Sequence, residues 1–227
     1  NEELRGSRLL SPTYVEERLI DGELFYRLQD YVRASIIFTD IVDHHAEHRA
    51  FPDALYLLGD SLYRAGDFLG ARTRFRQVLN RASDPLFRPY LQRALGRLIE
   101  IAIHTRDFDG VDQYFQQLSQ LPPSEIEAAT AYYRAKYLYS RAVPTEELTG
   151  DNPTEATVDS ALLEQARQAF ESVQAGSPYY PQARYFIGVI HVLRAEFPQA
   201  IDAFRRVLRS PAESHEHRQV TDLTQLA

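Results

Sequence analysis

Apolar residues along this chain return every three or four positions, in runs closed by short polar or glycine-bearing breaks. Leu55, Leu58, Gly59 and Leu62 share one helical face by their i, i+3, i+4, i+7 spacing. Gly66-Asp67 then breaks the run as a tight turn, and a second run opens near Phe68 with Ala71, Phe75 and Val78 on its inner face. A near-copy lies at Ile187-Gly188, Arg194-Ala195-Glu196-Phe197, Ala200 and Phe204. With the register set by these two units, the pattern predicts helix pairs at about 12–27 and 30–46, 52–65 and 68–81, 88–105 and 108–119, 124–142 and 158–174, and 180–194 and 197–209.

The small residue of the second helix recurs as Ala34, Ala71, Val111, Ala166 and Ala200, and four residues later each time comes Phe38, Phe75, Phe115, Phe170 and Phe204. The phenylalanines are 37, 40, 55 and 34 residues apart. Small residues let two helices of a hairpin approach closely, and the ring fills the space between successive hairpins. One hairpin cannot bury its own apolar side, so stacked neighbours must supply the core.

This pattern resembles the tetratricopeptide repeat, with its Leu-Gly pair in the first helix, Ala then Phe in the second, and Pro near the end. Leu58-Gly59, Ala71, Phe75 and Pro85 match it well, and Ile187-Gly188, Ala200, Phe204 and Pro211 nearly as well. The first unit keeps Gly22, Ala34 and Phe38. The third departs most, with Ile99 at the small position and Val111 for Ala; the fourth has Ala135. The resemblance implies an all-α fold, a right-handed superhelical solenoid of about five antiparallel helix hairpins. The repeats are expected at 12–48, 52–85, 88–123, 124–178 and 180–211. A loop at 143–157, rich in Pro, Gly and acids, is expected inside the fourth, as a tolerated insertion or an acidic contact arm. Residues 212–227 resume a helical pattern at Val220, Leu223 and Leu226, as a capping helix or the start of a further repeat. Pro12, Pro52, Pro89, Pro123 and Pro181 fall just before or inside a first turn, where a missing N–H is harmless, and Ser11 is an expected N-cap.

In this family the first helix of each hairpin lines the concave surface, which holds a partner segment. The inner stripe reads Leu19, Glu23, Tyr26, Arg27; Tyr56, Asp60, Tyr63, Arg64; Gly96, Glu100, Ile103, His104; Tyr132, Lys136, Tyr139, Ser140; and Tyr185, Val189, Val192, Leu193. Six of the 14 tyrosines fall on it. Tyr and Arg dominate interface hot spots because they bury area at little rotamer cost and keep a polar handle. The expected partner-binding residues are Tyr26, Arg27, Tyr56, Tyr63, Arg64, Tyr132, Lys136, Tyr139, Tyr185 and Val189. Some of these tyrosines can equally be packing between helices. Glu23–Arg27 and Asp60–Arg64 have the i, i+4 spacing of local helix pairs. Acids on this stripe disfavour the Asn and Lys/Arg clamp by which some family members hold a terminal carboxylate.

The net charge of −7, without a basic block, disfavours nucleic acid. No run of 18 apolar residues is present to insert into a membrane. Zero Cys excludes disulfides and thiolate metal sites. Lys136 is the one lysine, an arginine bias that points to a GC-rich, bacterial genome. The absence of Met and the start at Asn1 suit a fragment or processed form. His44 and His48, with Asp43 and Glu47, are the one metal-like cluster. It lacks a third ligand, and cations at a helix C-terminus suit the dipole instead. No phosphate loop, nucleophile elbow or dinucleotide fingerprint is found. The reading is a non-catalytic protein-binding scaffold without cofactor or metal, oligomeric state open. Ser177-Pro178-Tyr179-Tyr180-Pro181 resembles the lead-in of envelope-associated members, which leans towards a bacterial cell-envelope assembly in the periplasm. The alternative is a regulatory or localisation module of a larger cytoplasmic signalling or motility protein.

Overall fold

The computed structural model describes residues 13–121, 129–144 and 158–208. Among these are ten α-helices, one short 3-10 helix and no strand. They run α1 (Tyr14–Arg27), α2 (Tyr31–His44), α3 (Phe51–Arg64), α4 (Phe68–Leu79), the 3-10 turn Pro85–Phe87, α5 (Arg88–Thr105), α6 (Val111–Gln120), α7 (Ala129–Ala142), α8 (Ser160–Glu171), α9 (Tyr180–Leu193) and α10 (Phe197–Leu208). Successive helices pair as antiparallel hairpins, the arrangement of a tetratricopeptide-like helical repeat. Two compact units divide the chain, residues 1–120 with α1 to α6 and residues 121–227 with α7 to α10. Residues 145–157 of the expected insertion, 212–227, Ser11, Pro12 and Pro123 lie outside the described residues.

The start signals differ between the two helices of a hairpin. The second helices α2, α4 and α8 open on an aspartate whose carboxylate accepts from backbone N–H groups that helix geometry leaves unpaired. Asp30 accepts from Arg33 at 3.2 Å, Asp67 from Gly70 at 2.8 Å, and Asp159 from Ala161 and Leu162 at 3.0 Å. First helices α3, α5 and α9 instead place Pro52, Pro89 and Pro181 in the first turn. The turns between the two helices share a left-handed residue: Gln29 (φ 62°), Gly66 (87°), Arg106 (54°) and Ala195 (57°). The second hairpin uses glycine there, and Gln29, Arg106 and Ala195 bear the cost of a Cβ in that region.

The two helices meet through a glycine placed against a ring. A Cβ added to Gly22 would come within 2.5 Å of Phe38, and one at Gly59 within 2.9 Å of Phe75; Gly188 stands in the same way against Phe204. The third hairpin has Ile99 at the matching place, fully buried. In that hairpin Phe115 is partly exposed, while Val111 and Leu118 are buried. Phe38, Phe75 and Phe170 are fully buried, as is Ala135, which holds the glycine's register position in the fourth hairpin. In the first unit α2 packs on α3 and α4 on α5, giving one core from Val15 to Ile101.

Gly22→Ala is expected to force the Phe38 ring aside and cost about 2 kcal/mol, the range of overpacking in a filled core. Ala195→Gly is expected to gain about 1 kcal/mol by relieving the left-handed turn. Urea denaturation followed by circular dichroism measures both, and opposite signs are the expected result.

Candidate functional site

In the first unit the stripe runs over α1, α3 and α5, and Asp60 is at its centre. Its side chain is almost wholly buried, yet it carries a charge. The Tyr26 hydroxyl donates to one carboxylate oxygen, joined there by Arg64 Nε at 2.7 Å. Arg97 Nε donates to the other at 2.6 Å. Arg97 also reaches Glu100 through Nη1 at 2.5 Å. One carboxylate thus ties three first helices, through donors 34 residues before and 37 after it. Burial opposes ionisation of Asp60, but the Arg97 charge, the Tyr26 hydroxyl and Arg64 outweigh it and hold the carboxyl below its ordinary value. Burial likewise works against the Arg97 cation, and Glu100 and Asp60 overcome it.

Aromatic rings frame this network. Arg97 lies 4.7 Å from the centre of the Tyr63 ring, and Arg64 lies over both Tyr26 and Tyr31 at 5.5 and 5.6 Å. Tyr63 also packs on Phe68 and His104. Tyr56 sits 5.3 Å from Tyr90, whose hydroxyl donates to Asp53. Burial, helped by Asp60 at Tyr56 and by Glu100 at Tyr63, pushes both phenols up to about 12. They stay protonated at neutral pH, and neither hydroxyl has a hydrogen-bond partner among the described residues. Burial and the bond to Asp60 raise the Tyr26 phenol too. Arg27 is well exposed and stands 3.9 Å from Glu23, a local pair.

In the second unit Tyr132 is 6% exposed and stacks on Tyr179 at 5.0 Å, with Lys136 Nζ 5.9 Å from its ring centre. Tyr132 is therefore packing with little surface to offer. Tyr139 rests on Phe186 at 5.1 Å, and burial raises its phenol. Tyr185 contacts Phe186 and Phe204 at 5.6 and 5.8 Å, and Val189 is half-buried.

The stripe is seated on the repeat's own core rings. Tyr56 lies 5.9 Å from Phe75, Tyr132 6.0 Å from Phe170, and Tyr185 5.8 Å from Phe204. Each of these tyrosines precedes the small residue of its hairpin, Gly59, Ala135 or Gly188, by three positions. The same place holds Leu19 in the first hairpin and Gly96 in the third.

Arg97, Tyr90, Asp53 and Tyr31 belong to this surface but fall outside the periodic stripe. Arg97 follows Gly96 by one residue, so the i, i+4, i+7, i+8 rule passes over it. The available signal was its distance from Asp60, which equals the 37-residue interval between the first two repeat phenylalanines. Asp60–Arg64 is also more than the local pair its spacing suggests, since Asp60 is shared between neighbouring helices. His44 Nδ1 lies 3.0 Å from the Asp40 carbonyl and His48 Nε2 3.4 Å from Glu16. Among the described residues no three His, Cys, Asp or Glu side chains are grouped to hold a metal. No described helix is long and apolar enough to cross a membrane.

The family model described as the tetratricopeptide repeat matches residues 53–84, the second hairpin and the turn after it. No curated protein matches the chain closely enough to count as a relative.

Asp60→Asn is expected to leave Arg97 and Arg64 without their shared anion and to cost about 3 kcal/mol, as breaking one partner of a buried pair does. The folded carboxyl is held low, so its contribution is complete above its unfolded value of 3.8 and fades as pH falls through the lower folded value. The stability gap between wild type and Asp60→Asn should therefore be constant from pH 8 to about 5 and narrow below about 4, read from urea midpoints across pH.

Proposed function

Since residues 53–84 are a tetratricopeptide repeat, a module for protein–protein interaction, we propose that the α1–α3–α5 stripe holds a segment of a partner protein. The observation that carries this reading is the pair Tyr56 and Tyr63. Their rings are fixed by packing, and their protonated hydroxyls have no partner among the described residues. Rigid aromatic anchors lose little entropy on binding, and the adjacent Asp60 network fixes their backing. Arg27 and Arg64 supply exposed donors at the edge. In the second unit Tyr139, Tyr185, Val189 and Lys136 form the corresponding face. The match of residues 53–84 to the tetratricopeptide repeat supports binding as the function.

A bacterial cell-envelope assembly is the proposed setting, supported by the Ser177 to Pro181 lead-in. Fractionation of the full-length product is expected to place it with the envelope; a cytoplasmic product fused to a signalling domain would favour the regulatory module instead.

Affinity capture from the source cells, with mass spectrometry, identifies the partner. Tyr63→Ala and Tyr139→Ala together should leave far-UV circular dichroism unchanged and weaken that partner's binding at least about tenfold, or about 1.4 kcal/mol. Undiminished binding would place the interaction elsewhere on the protein.

A further inference from the structure

Helix α1 carries a face unlike its counterparts in the first unit. Ala54, Leu58 and Ser61 on α3, and Ala94, Leu98 and Ile101 on α5, are buried, and both helices pack on the second helix of the hairpin before them. The positions of α1 in the same register are Glu17, Asp21 and Leu24, and all three are exposed. Beside them Ile20, Leu24 and Leu28 follow one another at i, i+4 and i+8, 64%, 54% and 66% exposed. Large aliphatic side chains aligned on one helix face and left in water mark a surface that meets something. A preceding hairpin of the same kind would press apolar side chains onto two carboxylates, and burying an unpaired charge is costly. Glu17 takes only the Thr13 hydroxyl, at 2.8 Å, and Asp21 has no hydrogen bond or ion pair among the described residues.

We infer that this face docks an amphipathic helix of a partner protein, its aliphatic stripe on Ile20, Leu24 and Leu28 and its edge of Arg or Lys against Glu17 and Asp21. Helix-on-helix docking reads as apolar anchors at successive turns, and the flanking charges select the partner. The chain's net charge of −7 draws such a cationic helix towards it. This site is separate from the tyrosine stripe.

The probe is a synthetic helix of about 18 residues, long enough to fold on the surface. It has leucines at i, i+4, i+7 and i+11 edged by arginines, and its control has glutamate for every arginine. Fluorescence anisotropy with the full chain should show the arginine-edged peptide binding at least about tenfold tighter than the control. Leu24→Asp should remove that binding, Asp21→Lys should turn the preference towards the glutamate-edged peptide, and Tyr63→Ala should change neither. Equal binding of the two peptides, binding that survives Leu24→Asp, or loss on Tyr63→Ala would overturn the inference. So would binding seen only after removal of residues 1–12, since the chain itself would then cover the face.

Discussion

The contact on which the rest of the molecule depends is a glycine lying flat against a phenylalanine ring inside a hairpin. It fixes how near the two helices come, because no side chain stands between the backbone of one and the ring of the other. The ring held there also meets a tyrosine on the glycine's own helix. Phe75 carries Tyr56, and Phe204 carries Tyr185, so the core contact sets the height and tilt of the outer tyrosines. Close packing admits few alternative positions for such rings. The third hairpin differs: Ile99 stands in the glycine's place and is buried, Phe115 is only partly covered, and Gly96 leaves no tyrosine in the outer place. In the first hairpin Gly22 keeps the ring contact while Leu19 takes the outer place, so the small residue does not by itself dictate a tyrosine there.

Asp60 adds a second constraint, directional where the ring contact is not. A buried carboxylate is stable only with its oxygens saturated, and here the donors come from its own helix and from both neighbours. Two arginines, Arg64 and Arg97, face two acids, Asp60 and Glu100, so the cluster is neutral as a whole. The surface above it is therefore not an anion clamp. It offers the phenol hydroxyls of Tyr56 and Tyr63, edged by the exposed Arg27. The second unit uses a different, more exposed arrangement, in which Arg167 and Arg194 meet Glu164 at 2.6 and 2.7 Å and hold its carboxyl down at about 2.

The repeat register was legible in the sequence because it is written in residue size. Gly59 with Phe75 and Gly188 with Phe204 are conspicuous, and steric fit depends on the side chains themselves. Aspartate caps and first-turn prolines were readable for the same local reason. The site was legible only in part. Helical periodicity gives the face on which a residue lies, which is enough for Tyr56 and Tyr63, but it does not give reach. Arg97 arrives at Asp60 from off the stripe on a long flexible stem, and Tyr132, on the stripe, is turned into packing by Tyr179. Pairing between helices depends on the angle between successive hairpins, which no single repeat encodes.

A partner segment held on the α1–α3–α5 stripe would shield the backbone of those helices from solvent. Hydrogen–deuterium exchange of the full chain, alone and saturated with its captured partner, tests this most directly. Slowed exchange is expected in the α3 and α5 segments that carry Tyr56, Tyr63 and Arg97, with α4 unchanged. Protection confined to α2 and α4, with α3 and α5 exchanging as in the free protein, would contradict it.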